Sequence, residues 1–549
     1  MAQVALVLIL AAGVGLRAVR LGWGLPGYIF PDAAIHFIRP AMIAAAGGPL
    51  VPAEFVHPPV VFFLLTAAFR LWSVVTGRPI DPALTGGDIW PLTFVGRVVM
   101  VVLASLSILL TFTVARRLVS ARAALLAAAC FALAPLHVLE SHRVTPDIPM
   151  ILLALLAMQL ALAATRERRA PLAAGFVLAG LAGAAKYTGI FAASVPAWVA
   201  VRRGLGREAM GMGRLPLLLA GGVLVVLGFS FGCLPCFFAF DRFLRGVRLI
   251  GTYGYVVGMP GVDLTGAWPQ HRWVYPLIVA LPYMMGWPVY LAALGGFWLL
   301  WRRDRTAAGV LLAATVPYFA FMGGAISAVP RYYLLLLPAL AIAAGVSLDA
   351  LAGGGGRVRP AGVAVVAAVL GYTALLSASQ VNRLGLAPQR EVGRLVGQLA
   401  ADAARVDRRL VVAYPNQFAL PYDAVRPELR RAGVDIVEFP PPYGHLGGET
   451  DATAVGTAPD PAETLTADVV VLPSWAENAV RRSRPDGPTA RFFRRLGTGE
   501  LGFRLAGEFR IPYLTERLYT WGDPMLDTHW ETAIAGYKVF VRSPPAGDH

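Results

Sequence analysis

The sequence predicts a polytopic α-helical membrane protein that ends in a small α/β domain. Three observations carry this expectation. Of the 549 residues, 57% are hydrophobic and only 15% are charged, and the mean hydropathy is +0.61, beyond the range of ordinary soluble domains. Apolar runs of about 17–25 residues, long enough to span a bilayer, recur along the chain. Near residue 381 the composition changes to short β-branched runs alternating with helical stretches.

The formal charge of +15 excludes less than it suggests. A basic surface that neutralises phosphates is one source of such a charge. Here the basic residues instead fall in short clusters between apolar runs, the distribution that membrane topology imposes. Nucleic acid is therefore not expected as a partner; the lipid bilayer is.

Taken in order, the apolar runs place about eleven spans, at 4–22, 91–114, 121–138, 147–164, 171–187, 189–201, 216–233, 275–301, 307–325, 331–350 and 361–380. With the N-terminus cytoplasmic, one set of loops collects Arg116, Arg117, Arg168, Arg169, Arg202, Arg203, Arg302 and Arg303. The opposite turns then hold little beyond Arg143, Lys186 and Arg331, and this asymmetry sets the orientation in a cytoplasmic (plasma) membrane. Met1-Ala2-Gln3 lacks a basic leader, so the first run reads as a retained helix. Residues 23–90 form a first outer loop, and its apolar stretch 59–76, interrupted by Arg70, is expected to lie along the interface.

An odd span count puts residues 381–549 outside, after a membrane domain of residues 1–380. Leu410–Tyr414, Val434–Phe439, Val469–Leu472 and Tyr537–Val541 read as buried strands, with helices over Gln389–Arg405 and Asp423–Ala432. The three cysteines exclude a disulfide scaffold. Cys233 and Cys236 form a C-x-x-C at the end of the seventh span, for packing or a local disulfide, with a metal or redox role the weaker reading.

Ionisable groups at membrane depth are costly, about 2.5–3.5 kcal/mol each on insertion scales, and mark functional sites by default. On this topology the outward set is Asp32, His36, Arg39, Glu54, His57, Glu140, His142, Arg143, Asp147, Lys186, His271, Arg272 and Arg331. Carboxylates from two separate loops facing several cations suit transfer from a lipid phosphate. One carboxylate takes the proton of an attacking hydroxyl, and the cations stabilise the departing phosphate. Asp32 and Asp147 also have the residue types of helix caps, and Lys186 that of a snorkelling anchor.

These residues resemble a known pattern. Pro31-Asp32-Ala33 after the first span, His57-Pro58-Pro59 before an interfacial helix, His142-Arg143-Val144-Thr145-Pro146-Asp147, Gly183-Ala184-Ala185-Lys186-Tyr187-Thr188-Gly189, and Arg331-Tyr332 before a Leu/Pro-rich span follow in the order found in the GT-C superfamily. The resemblance is to its protein O-mannosyltransferase and aminoarabinose-transferase branch and covers about residues 1–350. The chain departs from the pattern at Ala33, where the family carries Glu after the Asp.

The resemblance implies a GT-C fold and a membrane glycosyltransferase. Such an enzyme moves a hexosyl or pentosyl unit from a polyprenyl-phosphate donor to an acceptor hydroxyl, with inversion at the anomeric carbon. It implies Asp32 as general base and Asp147 as a second acid orienting acceptor or metal. It implies His57, His142, Arg143, Lys186, Tyr187, Arg331 and Tyr332 as the donor-phosphate or substrate-binding set. A divalent metal is allowed by the ligand types of Asp32, His57 and Asp147 but not required by their spacing. Two other classes stay open. A transporter or lipid flippase would carry repeated halves with broken midplane helices, and no such symmetry is visible. A noncatalytic membrane assembly protein gains from the missing Glu at position 33.

Overall fold

The computed structural model describes residues 2–25, 33–84, 89–165, 167–202, 214–256, 271–326, 329–353, 358–385, 388–415, 434–439, 467–473, 488–509 and 536–543. Asp32 and the expected helix 423–432 lie outside them. The first region runs α1 (Ala2–Ala18), a π-helical turn Ala33–Ile38, α2 (Arg39–Ala45), α3 (Val60–Thr76), α4 (Trp90–Ala115), α5 (Ala121–Ala132), α6 (Pro135–Ser141), α7 (Asp147–Ala163), α8 (Ala170–Ala185), a 3-10 helix Tyr187–Ala193, α9 (Ser194–Arg202) and α10 (Arg214–Gly232). There follow α11 (Pro235–Phe238), α12 (Phe240–Tyr255), a π-helical turn Pro276–Ala280, α13 (Leu281–Met285), α14 (Trp287–Arg303), α15 (Arg305–Gly323), a 3-10 helix Pro330–Leu336, α16 (Leu337–Ala352) and α17 (Val358–Arg383).

Among the described residues, five helices are long and apolar enough to cross a membrane: α4, Leu215–Gly232 of α10, α15, the joined Pro330–Ala352, and Arg359–Arg383 of α17. Two bent pairs raise the number to as many as seven: α5 with α6, bent by 56°, and Pro276–Met285 with α14, bent by 110°. The chain is thus a mostly helical, multi-pass integral membrane protein. The expected eleven spans do not appear as eleven continuous crossings. The expected 121–138 run breaks before Pro135, and 275–301 turns at Gly286, whose φ of +81° only glycine adopts without strain. Lys186 is extended, ending α8 before the 3-10 helix, so the expected spans at 171–187 and 189–201 appear as a helix, a break and a second short helix. Apolar helices α1, α7 and α8 are shorter, at 17, 17 and 16 residues.

Small residues set the helix spacing. A Cβ on Gly180 of α8 would collide with the carbonyl of Val225 in α10, and one on Gly228 with that of Val177. Gly296 of α14 lies in the same way against Ala343 of α16. Such close approach is how helices gain packing energy where lipid removes the hydrophobic drive between them. The first-loop elements form their own core, with Phe37, Met42, Val61, Phe62, Leu65 and Phe69 packed on Met100, Ala104, Val144 and Ile148.

After α18 (Pro388–Ala404) the chain forms strands β1 (Leu410–Pro415), β2 (Val434–Phe439), β3 (Val469–Pro473), β4 (Phe503–Phe509) and β5 (Tyr537–Arg542), with α19 (Pro488–Thr498) before β4. The sheet order is β2-β1-β3-β5-β4. The β1 strand is parallel to β2 and β3, and β5 is antiparallel to β3 and β4. Strand alternation sends Val412, Val469, Val471 and Val539 onto Val392, Val396 and Ala400 of α18. The opposite face sets Ala413, Val470, Leu472 and Phe540 against Phe492, Phe493 and Leu496 of α19. The four strands expected from sequence are present. The fifth, β4, was not expected: Arg504, Gly507 and Glu508 dilute its pattern, and a register irregularity between Leu505 and Gly507 interrupts its pairing.

Candidate active site

The break after α8 explains how a lysine becomes available inside an apolar bundle. Lys186 has φ −148° and ψ 132°, so it leaves the helical path instead of lying along it. The chain then folds back so closely that a Cβ on Gly189 would strike the carbonyl of Ala182, while the Gly189 amide donates to the Lys186 carbonyl at 2.7 Å. Lys186 Nζ donates to Asp147 Oδ1 at 2.6 Å, with side-chain exposures of 12% and 2%. The same ammonium lies 4.7 Å from the centroid of the Tyr332 ring.

Asp147 occupies the first turn of α7 and makes no cap of its own; the residue before the helix is Pro146. Its carboxylate is spent on Lys186, so the ion pair, and not capping, is its described role. Arg331 and Tyr332 arrive on the 3-10 helix opened by Pro330, and the Arg331 guanidinium is 5.9 Å from the Tyr332 ring centroid. The Tyr332 carbonyl accepts from the Tyr318 hydroxyl, tying this helix to α15.

His57 approaches from the first loop. Its ring stacks on Phe37 at 5.1 Å and meets His36 edge-on at 5.6 Å. Burial first, then the charges of His36, Lys186 and Arg331, hold its imidazole well below the ordinary histidine range, so it is neutral at pH 7. The loop is fixed by Tyr187, whose hydroxyl donates to the Phe55 carbonyl at 2.7 Å. His57, Asp147, Lys186, Arg331 and Tyr332, from four separate parts of the chain, therefore converge.

The remaining expected residues lie differently. Arg143 donates to Glu140 Oε1 at 3.0 Å, with both side chains fully buried. Glu140, in the outward-facing set from sequence but given no role there, is also within electrostatic reach of Arg331, Asp147 and Lys186, which makes it a member of the cluster. The i, i+3 spacing of Glu140 and Arg143 across the end of α6 was the available signal for their pairing. His142 is fully buried, with Nδ1 2.8 Å from the Val138 carbonyl and Nε2 2.9 Å from that of Val19. Its own carbonyl accepts from Trp23 Nε1 at 3.1 Å. Burial pushes its pKa down to about 4. His142 thus staples the end of α1 to the second loop, with neither ring nitrogen left for a ligand.

Arg17 and Arg97, fully buried, donate to backbone carbonyls: Arg17 to those of Gly13 and Ala132 at 2.8 Å each, and Arg97 to those of Leu21 and Trp23 at 2.8 and 2.7 Å. They fix the chain just before the segment that carries Asp32. Among the described residues no three of His, Cys, Asp or Glu converge as metal donors; His57 is stacked and Asp147 is engaged by Lys186. Cys233 and Cys236 form a disulfide packed with Phe55 and Ala184.

Comparison with known proteins fits this arrangement. The family model described as dolichyl-phosphate-mannose-protein mannosyltransferase matches residues 56–230, about a third of the chain, running from just before His57 past Asp147 and Lys186. A search of curated proteins finds no match. Among solved structures, ArnT from Cupriavidus metallidurans bound to undecaprenyl phosphate is similar at 17% identity, over 87% of this chain and 94% of that one, with a TM-score of 0.50. The oligosaccharyltransferase AglB from Archaeoglobus fulgidus, in complex with an inhibitory peptide and a dolichol-phosphate, is similar at 15% identity, over 89% and 72%, with a TM-score of 0.51. The chain shares the overall fold of these two solved structures and is similar, across residues 56–230, to the dolichyl-phosphate-mannose-protein mannosyltransferase family.

Proposed function

We propose that the chain transfers one sugar from a polyprenyl-phosphate donor to an acceptor hydroxyl on the outer face of the membrane. The observation that carries this reading is the buried Lys186–Asp147 pair, with Arg331, Tyr332 and a neutral His57 gathered around it. A cation held at membrane depth by a single carboxylate keeps unused donor capacity, which a lipid phosphate would take up. ArnT and AglB were solved with undecaprenyl phosphate and dolichol-phosphate, respectively, which supports the same donor class here.

In this scheme Lys186 and Arg331 bind the donor phosphate, with Tyr332 between them and His57 donating as a neutral imidazole. Asp147 orients Lys186. Asp32 accepts the proton of the acceptor hydroxyl as its oxygen bonds to the anomeric carbon. The bond from that carbon to the phosphate oxygen breaks on the opposite face, and polyprenyl phosphate leaves with the electron pair. Configuration is inverted. Lys186 and Arg331 meet the charge that develops on the leaving oxygen, the point where such groups contribute most. Glu140 holds Arg143 in place, Tyr187 holds the His57 loop, and His142 is excluded from the binding set because both its ring nitrogens face backbone carbonyls. No metal is assigned, and no step requires one.

The sheet after residue 381 serves as an extracytoplasmic accessory domain that shapes acceptor choice, with the N-terminus cytoplasmic. The reading is tested by screening the purified chain against a panel of polyprenyl-phosphate sugars, then repeating with Asp32→Asn. The variant keeps undecaprenyl-phosphate binding and loses transfer by roughly 10²–10⁴-fold. Transfer near the wild-type rate in Asp32→Asn overturns the assignment of the base.

A further inference from the structure

We infer that α12 is a docking surface for anionic phospholipid headgroups, lying flat on the bilayer at the face that carries the Lys186 cluster. Its place follows from its two ends. At the N-terminal end, α10 finishes at Gly232, and the Cys233–Cys236 disulfide with the short α11 leads the chain into α12. At the C-terminal end, the Gly254 carbonyl accepts from the Ile326 amide at 2.9 Å and the Tyr255 hydroxyl donates to the Phe321 carbonyl at 3.3 Å. Both α10 and α15 are apolar enough to cross the membrane. A helix of 16 residues, about 24 Å long at the usual rise, that joins the ends of two spans lies along the surface where they emerge.

Its side chains divide as that position requires. At 100° per residue, Phe240, Phe243, Leu244, Val247 and Ile250 fall in one arc, and Arg242, Arg245 and Arg248 in another. The inner edge of the apolar arc packs on the protein: Phe243 lies against Phe55 and Tyr187, and a Cβ on Gly246 would collide with the Phe55 carbonyl. Phe240, Val247 and Ile250 remain exposed, as do the preceding Phe237 and Phe238. Arg245 and Arg248 are exposed beside them, with Asp241 the single acid of the helix. Exposed aromatics bordered by arginines on a surface helix suit one occupant, an acyl boundary beneath anionic headgroups. Arginines at this face also run against the charge asymmetry of the loops, so a counter-charge accounts for their presence there.

The full-length protein in vesicles of phosphatidylcholine, with and without phosphatidylglycerol, tests the inference. Amide hydrogen exchange over 240–255 slows several-fold when phosphatidylglycerol is added. Purification from the mixed vesicles retains phosphatidylglycerol over phosphatidylcholine. Arg245→Gln with Arg248→Gln, which spares the 3.4 Å bond from Arg242 to the Pro52 carbonyl, cuts that preference by roughly 20–30-fold, at about a five-fold change per arginine. Equal protection in both lipids, or an unchanged preference in the variant, overturns the inference. So does cross-linking that finds the surface covered by a second copy of the chain. Arg248→Gln alone repeats the test if the double variant folds poorly.

Discussion

Lys186 and Asp147 form the pair on which the proposed chemistry depends, and a double-mutant cycle separates its structural from its functional part. Lys186→Met leaves the Asp147 carboxylate, 2% exposed, without the ammonium 2.6 Å away. Removing one partner of a buried pair costs about 3–5 kcal/mol; Lys186 retains 12% exposure, which favours the low end, about 3 kcal/mol. Asp147→Asn costs about as much for the reverse reason. Combining the two removes both charges, so the double variant recovers a coupling energy of about 2 kcal/mol. Donor binding follows another course. One charge-assisted bond to phosphate is worth about 2 kcal/mol, or roughly 30-fold in affinity, and the double variant does not regain it. Thermal unfolding in detergent reads the first quantity and equilibrium binding of undecaprenyl phosphate the second. If the double variant recovers affinity together with stability, Lys186 serves packing alone and the donor site lies elsewhere.

Further outcomes follow from the same geometry. Burial holds the His57 and His142 imidazoles below their ordinary range, His142 down to about 4. Below a pH of about 6.5 the unfolded chain takes up protons that the folded one refuses. Thermal stability is therefore full above that pH and falls as the pH drops, for His142 until about 4, and His142→Gln flattens the slope in a melting series from pH 8 to 4. Gly180→Val drives a side chain into the Val225 carbonyl, so it lowers the melting temperature and weakens undecaprenyl-phosphate binding by displacing α8, which carries Lys186 at its end. Glu140→Gln preserves shape but removes the carboxylate charge that faces the Arg143 guanidinium, both fully buried, so it costs about 3–5 kcal/mol in stability by thermal melt, a smaller loss than Glu140→Ala. The Cys233–Cys236 disulfide closes so short a loop that its reduction costs no more than about 2 kcal/mol, and α12 exchange reports it before global unfolding does.

Much of the fold was legible because apolar length and β-branched runs are local signals. Apolar helices lie across most of the expected membrane runs, though not as eleven continuous crossings, and α18 and four strands appear where composition places them. The breaks were not legible, because each depends on a partner far away in sequence. Lys186 leaves its helix because the turn at Gly189 packs on Ala182, and Gly286 turns a long apolar run that hydropathy reads as continuous. Within the site, motif order brought Asp147, Lys186, Arg331, Tyr332 and His57 into one list, and they meet. It also brought in His142, whose neighbouring Val19 and Val138 carbonyls no local pattern reveals, and it left Glu140 out. The arginines of α12 were passed over because a 16-residue amphipathic helix is too polar to register as a span.

The break between α5 and α6 has a consequence for how the protein is made. Ending α5 at Ala132 frees carbonyls deep in the bundle, where water does not reach. The Ala132 carbonyl is met by Arg17, 115 residues earlier, and the Leu133 carbonyl by the Ser377 hydroxyl at 2.6 Å, 244 residues later. The turn that leads to Glu140 and Arg143 is thus stitched by the first helix and the last one of the membrane region. A chain inserted from its N-terminus has delivered all five converging residues before this stitch can close. Released chains truncated before residue 377 should accordingly leave the 142–146 loop open to proteases, and those extending past 383 should protect it.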